Sequence, residues 1–140
     1  MCGCEIPVLA QAKLAIDWSM GNFRVPIEIG DLAGTGFAKV NALVDTGATY
    51  TWLPGSLLEG LGLKPEEQRP FILADGREVF YGLAWAQVRL GGRSQPSIVV
   101  FGDPDSEPLL GAFTLEGFGL AADPLNRRLI SVPGLLKLAG

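Results

Sequence analysis

Apolar and polar residues alternate along much of the chain, with the two-residue period of β-strands that bury one face. The first alternating stretches are residues 13–20 and 23–29. A glycine-rich turn at residues 31–36 separates them from the mostly apolar stretch Phe37–Val44, and β-branched and aromatic residues then follow at 49–53. This pattern predicts a strand at each of the four stretches.

The middle of the chain has the pattern of a long β-hairpin. Residues 69–90 are rich in strand-forming residues and contain Asp75-Gly76, a dipeptide that favours tight hairpin turns. Residues 79–83 are apolar on both faces, which indicates a segment covered from two sides. The cover is either the fold itself on both sides, or the fold on one side and a ligand on the other. Two more strands are predicted, at residues 97–101 and 129–132.

Helices are predicted to be few and short. Ser56 and Glu59 have the spacing of a capping box at a helix start, and Gly60 limits that helix to one or two turns. A second short helix is expected from Ala112 onward. Many short strands, glycine-rich turns and two short helices predict an all-β fold that closes into a β-barrel.

Composition narrows the class of protein. The 140 residues suit one domain, and 48% apolar with 19% charged residues is typical of a globular chain. A net charge of −4 argues against a nucleic-acid partner. The absence of histidine excludes Ser-His-Asp and Cys-His catalysis and histidine-ligated metals, and no metal site or cofactor is expected.

The N-terminal residues carry little chemistry of their own. Cys2 and Cys4 are too few for a closed zinc site and too close to staple the fold, so they are interpreted as reduced thiols. Pro7 interrupts the apolar residues there, and no charged segment precedes them, so no secretory signal is predicted. Since no apolar run reaches the length of a bilayer either, we expect a cytoplasmic protein without a membrane partner.

The candidate catalytic residues lie in one turn. The apolar run before it leads directly into Asp45, Thr46, Gly47 and Ala48. The strand is expected to bury the Asp45 carboxylate, Thr46 can hydrogen-bond locally, and Gly47 allows close approach of another chain or ligand. An ordinary Asx turn at a strand end would use the same residue types.

This Asp-Thr-Gly-Ala turn resembles the catalytic loop of aspartic proteases. A second block, Leu109-Leu110-Gly111, resembles the hydrophobic–hydrophobic–glycine signature of the same family, followed by a short helix and a last strand. The order and separation of the two blocks are similar to those of single-domain, retropepsin-like members from retroviruses and prokaryotes. The resemblance covers about residues 23–132, which we expect to be the protease domain, with a 1–22 extension and a 133–140 tail.

The resemblance implies a homodimeric peptide hydrolase. Each chain supplies one aspartate, so Asp45 would meet the Asp45 of a second copy across a two-fold axis. Two carboxyl groups in contact cannot both ionise at low cost and share one proton, a behaviour known from aspartic proteases themselves. The pair would activate a water molecule against a peptide bond of a peptide or protein substrate, while Thr46 would hydrogen-bond across the dimer.

The same resemblance assigns the long hairpin as a flap over the substrate, with Leu73, Ala74, Asp75 and Gly76 at its tip. Two alternatives to an active protease remain. The chain could be a catalytically retired protease fold that binds peptides or dimerises. It could also be an unrelated β-barrel whose match at 109–111 is chance. The complete Asp-Thr-Gly-Ala loop favours the protease, because a scaffold has no need of that acid.

Overall fold

A computed structural model describes residues 22–133, which form nine strands and two short helices. In chain order these are β1 (Arg24–Gly30), β2 (Phe37–Val44), β3 (Thr51–Pro54), α1 (Gly55–Gly60), β4 (Glu67–Ile72), β5 (Glu78–Leu90), β6 (Arg93–Gly102), β7 (Leu109–Leu110), α2 (Ala112–Gly117), β8 (Leu120–Asp123) and β9 (Arg128–Ser131). The predicted all-β class with short helices is confirmed.

Seven of the strands form one sheet that closes on itself. Their order is β1-β2-β7-β3-β6-β5-β4, and a further pairing joins β1 to β5. That closing pairing is short and antiparallel, from Glu28 opposite Arg89 to Gly30 opposite Gln87. The pairings therefore form a ring of six strands, and β4 is attached to the ring through β5.

The core lies inside this ring and is made by the alternating residues that the sequence pattern indicates. On β1 and β2, Ile27, Ile29 and Ala42 are fully buried, while the polar residues between them face outward. Further buried side chains come from the later strands and from both helices: Leu53, Leu58, Val88, Val99, Leu110 and Leu115. Each strand of the ring thus contributes one apolar face to a shared interior.

The predicted hairpin is formed by β4 and β5, which pair antiparallel from Glu67 opposite Leu83 to Ile72 opposite Glu78. Its turn is longer than a two-residue Asp-Gly turn. The backbone N–H of Gly76 donates to the carbonyl oxygen of Leu73 at 2.8 Å, and Gly76 has a φ of 88°. Asp75 and Gly76 therefore occupy the end of a four-residue turn, where glycine adopts the left-handed conformation.

The predicted capping box at α1 is wrong. The helix begins at Gly55 with Pro54 as its N-cap, and no side chain caps it. Ser56 is therefore the second residue of the helix, and its hydroxyl is not at the N-cap position. The cause is the direct passage from β3 into α1: a side chain at Gly55 would lie 3.1 Å from the carbonyl oxygen of Gly102, so glycine permits the tight junction.

Strand β8 was not predicted. It pairs antiparallel with β9 in a separate two-stranded sheet, from Leu120 opposite Ser131 to Asp123 opposite Arg128. The predicted last strand at residues 129–132 corresponds to β9. Among the helices of residues 22–133, none has both the length and the apolar character needed to cross a bilayer.

Several expectations fall outside the described residues. The strand predicted at 13–20, the two cysteines and nearly all of the 133–140 tail are among them. The proposed boundaries of the protease domain, 23 and 132, accordingly stay predictions.

Candidate active site

The Asp-Thr-Gly-Ala turn lies where β2 ends, against the start of the second predicted block. Strand β2 runs parallel to β7, with Val44 opposite Leu110. The backbone N–H of Asp45 donates to the carbonyl oxygen of Leu110 at 3.0 Å. The turn then closes when the N–H of Ala48 donates to the carbonyl oxygen of Asp45 at 3.1 Å. The aspartate is thereby fixed at the junction of a strand and a tight turn.

The carboxylate of Asp45 is held by its own turn. The backbone N–H of Gly47 donates to Oδ1 of Asp45 at 3.0 Å. A side chain at Gly47 would place its Cβ only 3.3 Å from that oxygen. In this chain Asp45 is half-buried and not fully enclosed as expected, because it lies one residue beyond the buried end of β2. The carboxylate therefore remains accessible to water or to another molecule.

The Leu109-Leu110-Gly111 block passes directly behind this turn. At Gly111 a Cβ would lie 2.4 Å from the carbonyl oxygen of Tyr50, so only glycine fits. The N–H groups of Ala112 and Phe113 donate to the carbonyl oxygens of Ala48 and Thr49, at 2.9 and 2.8 Å. The first two amides of helix α2 are thus hydrogen-bonded to the end of the turn and to the residue after it. The structure therefore brings the two predicted blocks together.

Thr46 differs from the expectation of a local hydrogen bond. Its side chain is exposed and makes no hydrogen bond to any residue between 22 and 133. Its hydroxyl is therefore available to an external partner.

An open groove of about 750 Å³ begins at the turn. Asp45 and Thr46 form part of one wall, and α2 and β8 contribute much of the rest. The lining is mostly apolar or small and includes Phe23, Val44, Ala112, Leu115, Leu120, Ala122 and Val132. One further carboxylate, that of Glu116, also lines the groove. The groove is thus a mostly apolar surface that carries two carboxylates, those of Asp45 and Glu116.

The predicted flap is connected to the strand that leaves the turn. The Trp52 ring on β3 makes edge-to-face contacts with Phe71 and Tyr81 of the hairpin, at centroid distances of 5.1 and 5.0 Å. Beside them, the Arg69 guanidinium donates a 2.7 Å hydrogen bond to the Tyr50 hydroxyl. Both strands of the hairpin are thereby anchored to Trp52 of β3, along the half of the hairpin that is nearer to its tip.

The hairpin tip consists of Leu73, half-buried, followed by the exposed Ala74, Asp75 and Gly76. The Asp75 carboxylate accepts hydrogen bonds from the backbone N–H of Arg77 at 3.0 Å and from its Nε at 2.7 Å. These bonds hold the pKa of Asp75 below its usual range. The tip is thus ordered by contacts within itself.

Sequence reasoning missed a cluster of buried hydroxyls behind the turn. Thr51 and Thr114 lie 2.7 Å apart through their Oγ1 atoms, and Ser97 Oγ lies 2.9 Å from Thr114 Oγ1. The three residues come from β3, α2 and β6, so spacing along the chain gives no sign of the cluster. The only signal was a threonine at an inward position of an apolar strand. Within residues 22–133 there is no group of three or more histidine, cysteine or carboxylate side chains arranged to hold a metal.

Comparison with known proteins identifies the family. The family model described as aspartyl protease matches residues 25–113, more than half of the chain and a range that contains both predicted blocks. The chain belongs to the aspartyl protease family. A search of curated proteins gave no match.

Two solved structures of retroviral proteases are similar to this chain, and the first of them shows the shared fold. The EIAV protease complexed with the inhibitor HBY-793 is similar at 17% identity and a TM-score of 0.52, over 80% of this chain and 95% of that one. The solution structure of Simian Foamy Virus (mac) protease matches at 22% identity and a TM-score of 0.48, over 67% of this chain and 94% of that one. The predicted retropepsin-like fold is confirmed.

Proposed function

We propose that the protein is an aspartic endopeptidase whose catalytic pair consists of Asp45 and the Asp45 of a second copy. The observation that carries this proposal is the setting of the Asp45 carboxylate. It is half-buried at the edge of an open groove, and the Gly47 amide holds one of its oxygens. Its other oxygen, Oδ2, makes no hydrogen bond to any described residue and can face a second acid or a water molecule.

The proposed reaction needs two carboxyl groups with different protonation. The ionised member takes a proton from a water molecule while the water oxygen attacks the peptide carbonyl carbon. The protonated member donates its proton toward the carbonyl oxygen, giving a tetrahedral diol. Proton transfer to the amide nitrogen then allows the C–N bond to break, releasing a carboxylic acid and an amine. No covalent intermediate with the protein is formed.

A homodimer is proposed because the sequence contains a single Asp-Thr-Gly. Two surface features support it. Thr46, beside Asp45, has a free hydroxyl, and two apolar side chains are exposed at the end of the small β8–β9 sheet: Ile130 in β9 (37% exposed) and Val132, one residue past it (39% exposed). These positions are two residues apart, so they present one apolar face near the groove. A second copy that covers this face would also bring the two turns together.

The β4–β5 hairpin is proposed as a flap that covers a bound peptide, with residues 73–76 at its tip. Support comes from its exposed apolar side chains: Ile72 is 70% exposed and Phe80 is 59% exposed. Substrate would then be a peptide or protein segment in extended form. Protection of amides 73–77 from hydrogen exchange when a peptide-like inhibitor binds is the result expected, and unchanged exchange there would remove the flap from the proposal.

The test of the catalytic proposal compares two Asp→Asn variants. Asp45→Asn keeps the shape of the side chain but removes the carboxylate, so it is expected to abolish cleavage of a mixed peptide library. Asp31→Asn is the matched control, because Asp31 also accepts a backbone N–H within a turn, from Thr35 at 2.9 Å. The control is expected to cleave as the wild type does.

The outcomes separate the proposal from its rivals. Equal cleavage by the wild type and Asp45→Asn would assign the activity to another group. Absence of cleavage by the wild type from acid to neutral pH, with peptide binding retained, would favour a catalytically retired binding module.

The proposed mechanism also sets the pH dependence of the reaction. Since the active pair of carboxyl groups carries one shared proton, the rate of cleavage should fall both in strong acid and at higher pH.

A further inference from the structure

The buried polar side chains of residues 22–133 form a single cluster. Thr51, Ser97 and Thr114 are 0, 3 and 1% exposed, and each contacts at least one of the others through its hydroxyl. Burying a hydroxyl costs free energy unless its hydrogen bonds are recovered, and apolar residues of the same shape would fill these positions well. The location of the cluster therefore calls for an explanation other than packing.

The cluster ends on one peptide group behind the Asp45 turn. The backbone N–H of Gly111 donates to Oγ1 of Thr51 at 3.1 Å. The carbonyl oxygen of that same peptide group belongs to Leu110, and it accepts the 3.0 Å hydrogen bond from the N–H of Asp45. Since a peptide group is planar, fixing the direction of its N–H also fixes the direction of its carbonyl oxygen. Thr51 thus acts at one end of the group and Asp45 at the other.

We infer that Thr51 is a positioning residue for Asp45, acting through the Leu110–Gly111 peptide group and oriented by Thr114 and Ser97. The hydroxyls form a continuous chain from β6 through α2 to β3, and hydrogen bonds in such a chain polarise one another. The backbone of Asp45 is therefore aligned by side chains that never touch the carboxylate or a substrate. Asp45 is thereby held in place before a second copy or a substrate arrives.

Close packing around Gly111 makes this control strict. A Cβ added to Gly111 would lie 2.4 Å from the carbonyl oxygen of Tyr50, so the Leu110–Gly111 peptide group lies directly against the backbone that follows the turn. The Thr51 hydroxyl opposes rotation of this peptide group, because rotation would break the hydrogen bond that Gly111 donates to it. A small rotation would displace the backbone of Asp45, and misplacement of a reacting group by about 1 Å can lower a rate roughly hundredfold.

The test uses Thr51→Val, which removes the hydroxyl and keeps the branched shape, and Thr51→Ser, which keeps the hydroxyl. Hydrogen exchange of single amides in the full chain is measured first, because it does not depend on activity. Thr51→Val should accelerate exchange at Gly111 and Asp45 about fivefold, as expected for loss of one hydrogen bond, and Thr51→Ser should restore it. Thr114→Val should act in the same direction and replaces Thr51→Val if that variant does not fold.

Val99→Ala is the control for a general loss of packing. Val99 is fully buried and lies opposite Thr51 across β3 and β6. The Val99→Ala variant should have a lower unfolding temperature, but amide exchange at Gly111 and Asp45 should not accelerate more than exchange elsewhere in the chain. Unchanged exchange at Asp45 in both Thr51→Val and Thr114→Val, or the same selective change in Val99→Ala, would overturn the inference.

The kinetic measurement rests on the proposed protease activity. Thr51→Val should lower kcat roughly ten- to hundredfold with KM within about twofold, and Thr51→Ser should recover most of kcat. A wild type without activity would refute the proposed function, while the exchange data would still decide whether Thr51 positions Asp45. An active wild type whose Thr51→Val variant keeps full kcat would overturn the positioning role alone.

Discussion

The backbone N–H of Gly47 donates a hydrogen bond to Oδ1 of Asp45 at 3.0 Å, within the turn that the two residues share. This bond fixes the orientation of the carboxylate without help from a distant part of the chain. It also leaves Oδ2 without a hydrogen bond to any residue from 22 to 133. One oxygen is thus bound within the turn, and the other is free to meet the second carboxyl group or the water molecule of the proposed mechanism.

Gly111→Ala should be strongly destabilising. The new Cβ would lie 2.4 Å from the Tyr50 carbonyl oxygen, a backbone atom that cannot move aside cheaply. We expect a loss of about 3 kcal/mol in the free energy of unfolding, measured by denaturant titration. Gly36→Ala is the control, since no atom lies within 4 Å of its Cβ position, and it should change stability by less than about 0.5 kcal/mol. Similar values for both variants would contradict the tight contact at Gly111.

Trp52→Ala should loosen the hairpin. Trp52 loses its ring contacts with Phe71 and Tyr81, and truncation of a half-buried tryptophan should cost about 3 kcal/mol of stability. Amide exchange in β4 should rise more than exchange in β1. Trp85→Ala provides the comparison, because the Trp85 ring contacts Phe113 of α2 and not Phe71 or Tyr81, so its loss should leave exchange in β4 nearly unchanged. Equal exchange in β4 for the two variants would show that Trp52 does not anchor the hairpin.

The hairpin tip should resist acid. Hydrogen bonds from the backbone and side chain of Arg77 hold the pKa of Asp75 below its ordinary value of about 3.9. The resulting stabilisation is complete above that ordinary value and is lost as pH falls through the lowered pKa. An NMR titration of the Asp75 carboxyl carbon should therefore give a midpoint below about 3.9.

Arg77→Ala separates the two sources of this effect. It removes the side-chain bond but keeps the backbone N–H, so the pKa of Asp75 should rise part of the way toward its ordinary value. Asp31 is the internal reference, because hydrogen bonds from Thr35 lower its pKa independently of Arg77. A shift of Asp31 as large as that of Asp75 would indicate a global change and not loss of the local bond.

The strands and the candidate turn were predictable because they rest on local patterns. The apolar stretch after the glycine-rich turn gave the bounds of β2, Phe37–Val44, and alternation gave those of β1 to within one residue. Strand β8, in contrast, is a short segment of small residues, and its pairing with β9 depends on a turn in which Asp123 accepts hydrogen bonds from Asn126. The residues of β8 have no alternation of apolar and polar side chains that would have predicted a strand.

The features that were missed depend on contacts between distant parts of the chain. The capping-box prediction at Ser56 failed because β3 runs through Pro54 directly into the helix, a junction set by contact with Gly102. The link between Thr51 and Thr114 joins residues 63 positions apart. Such a pair cannot be predicted from the sequence, because its two residues meet only in the folded ring of strands.

Ile130→Asp should weaken the proposed dimer without unfolding the chain. The side chain is 37% exposed on the β8–β9 sheet, so the charge costs little in the monomer but would be buried against a second copy. Sedimentation should show a shift toward monomer. Leu32→Asp, at a 54% exposed position in the turn after β1, should leave the assembly unchanged. An identical dimer in both variants would exclude this face from the interface.

The dependence of activity on protein concentration shows whether one chain or two supply the catalytic carboxyl groups. The rate of peptide cleavage per chain is measured over the range in which sedimentation shows the dimer dissociating. If the active pair is made from the Asp45 of two copies, the rate per chain follows the dimer fraction and vanishes in the monomer. A constant rate per chain, extending to concentrations at which the protein is fully monomeric, would show that the active pair is not made from two copies of Asp45.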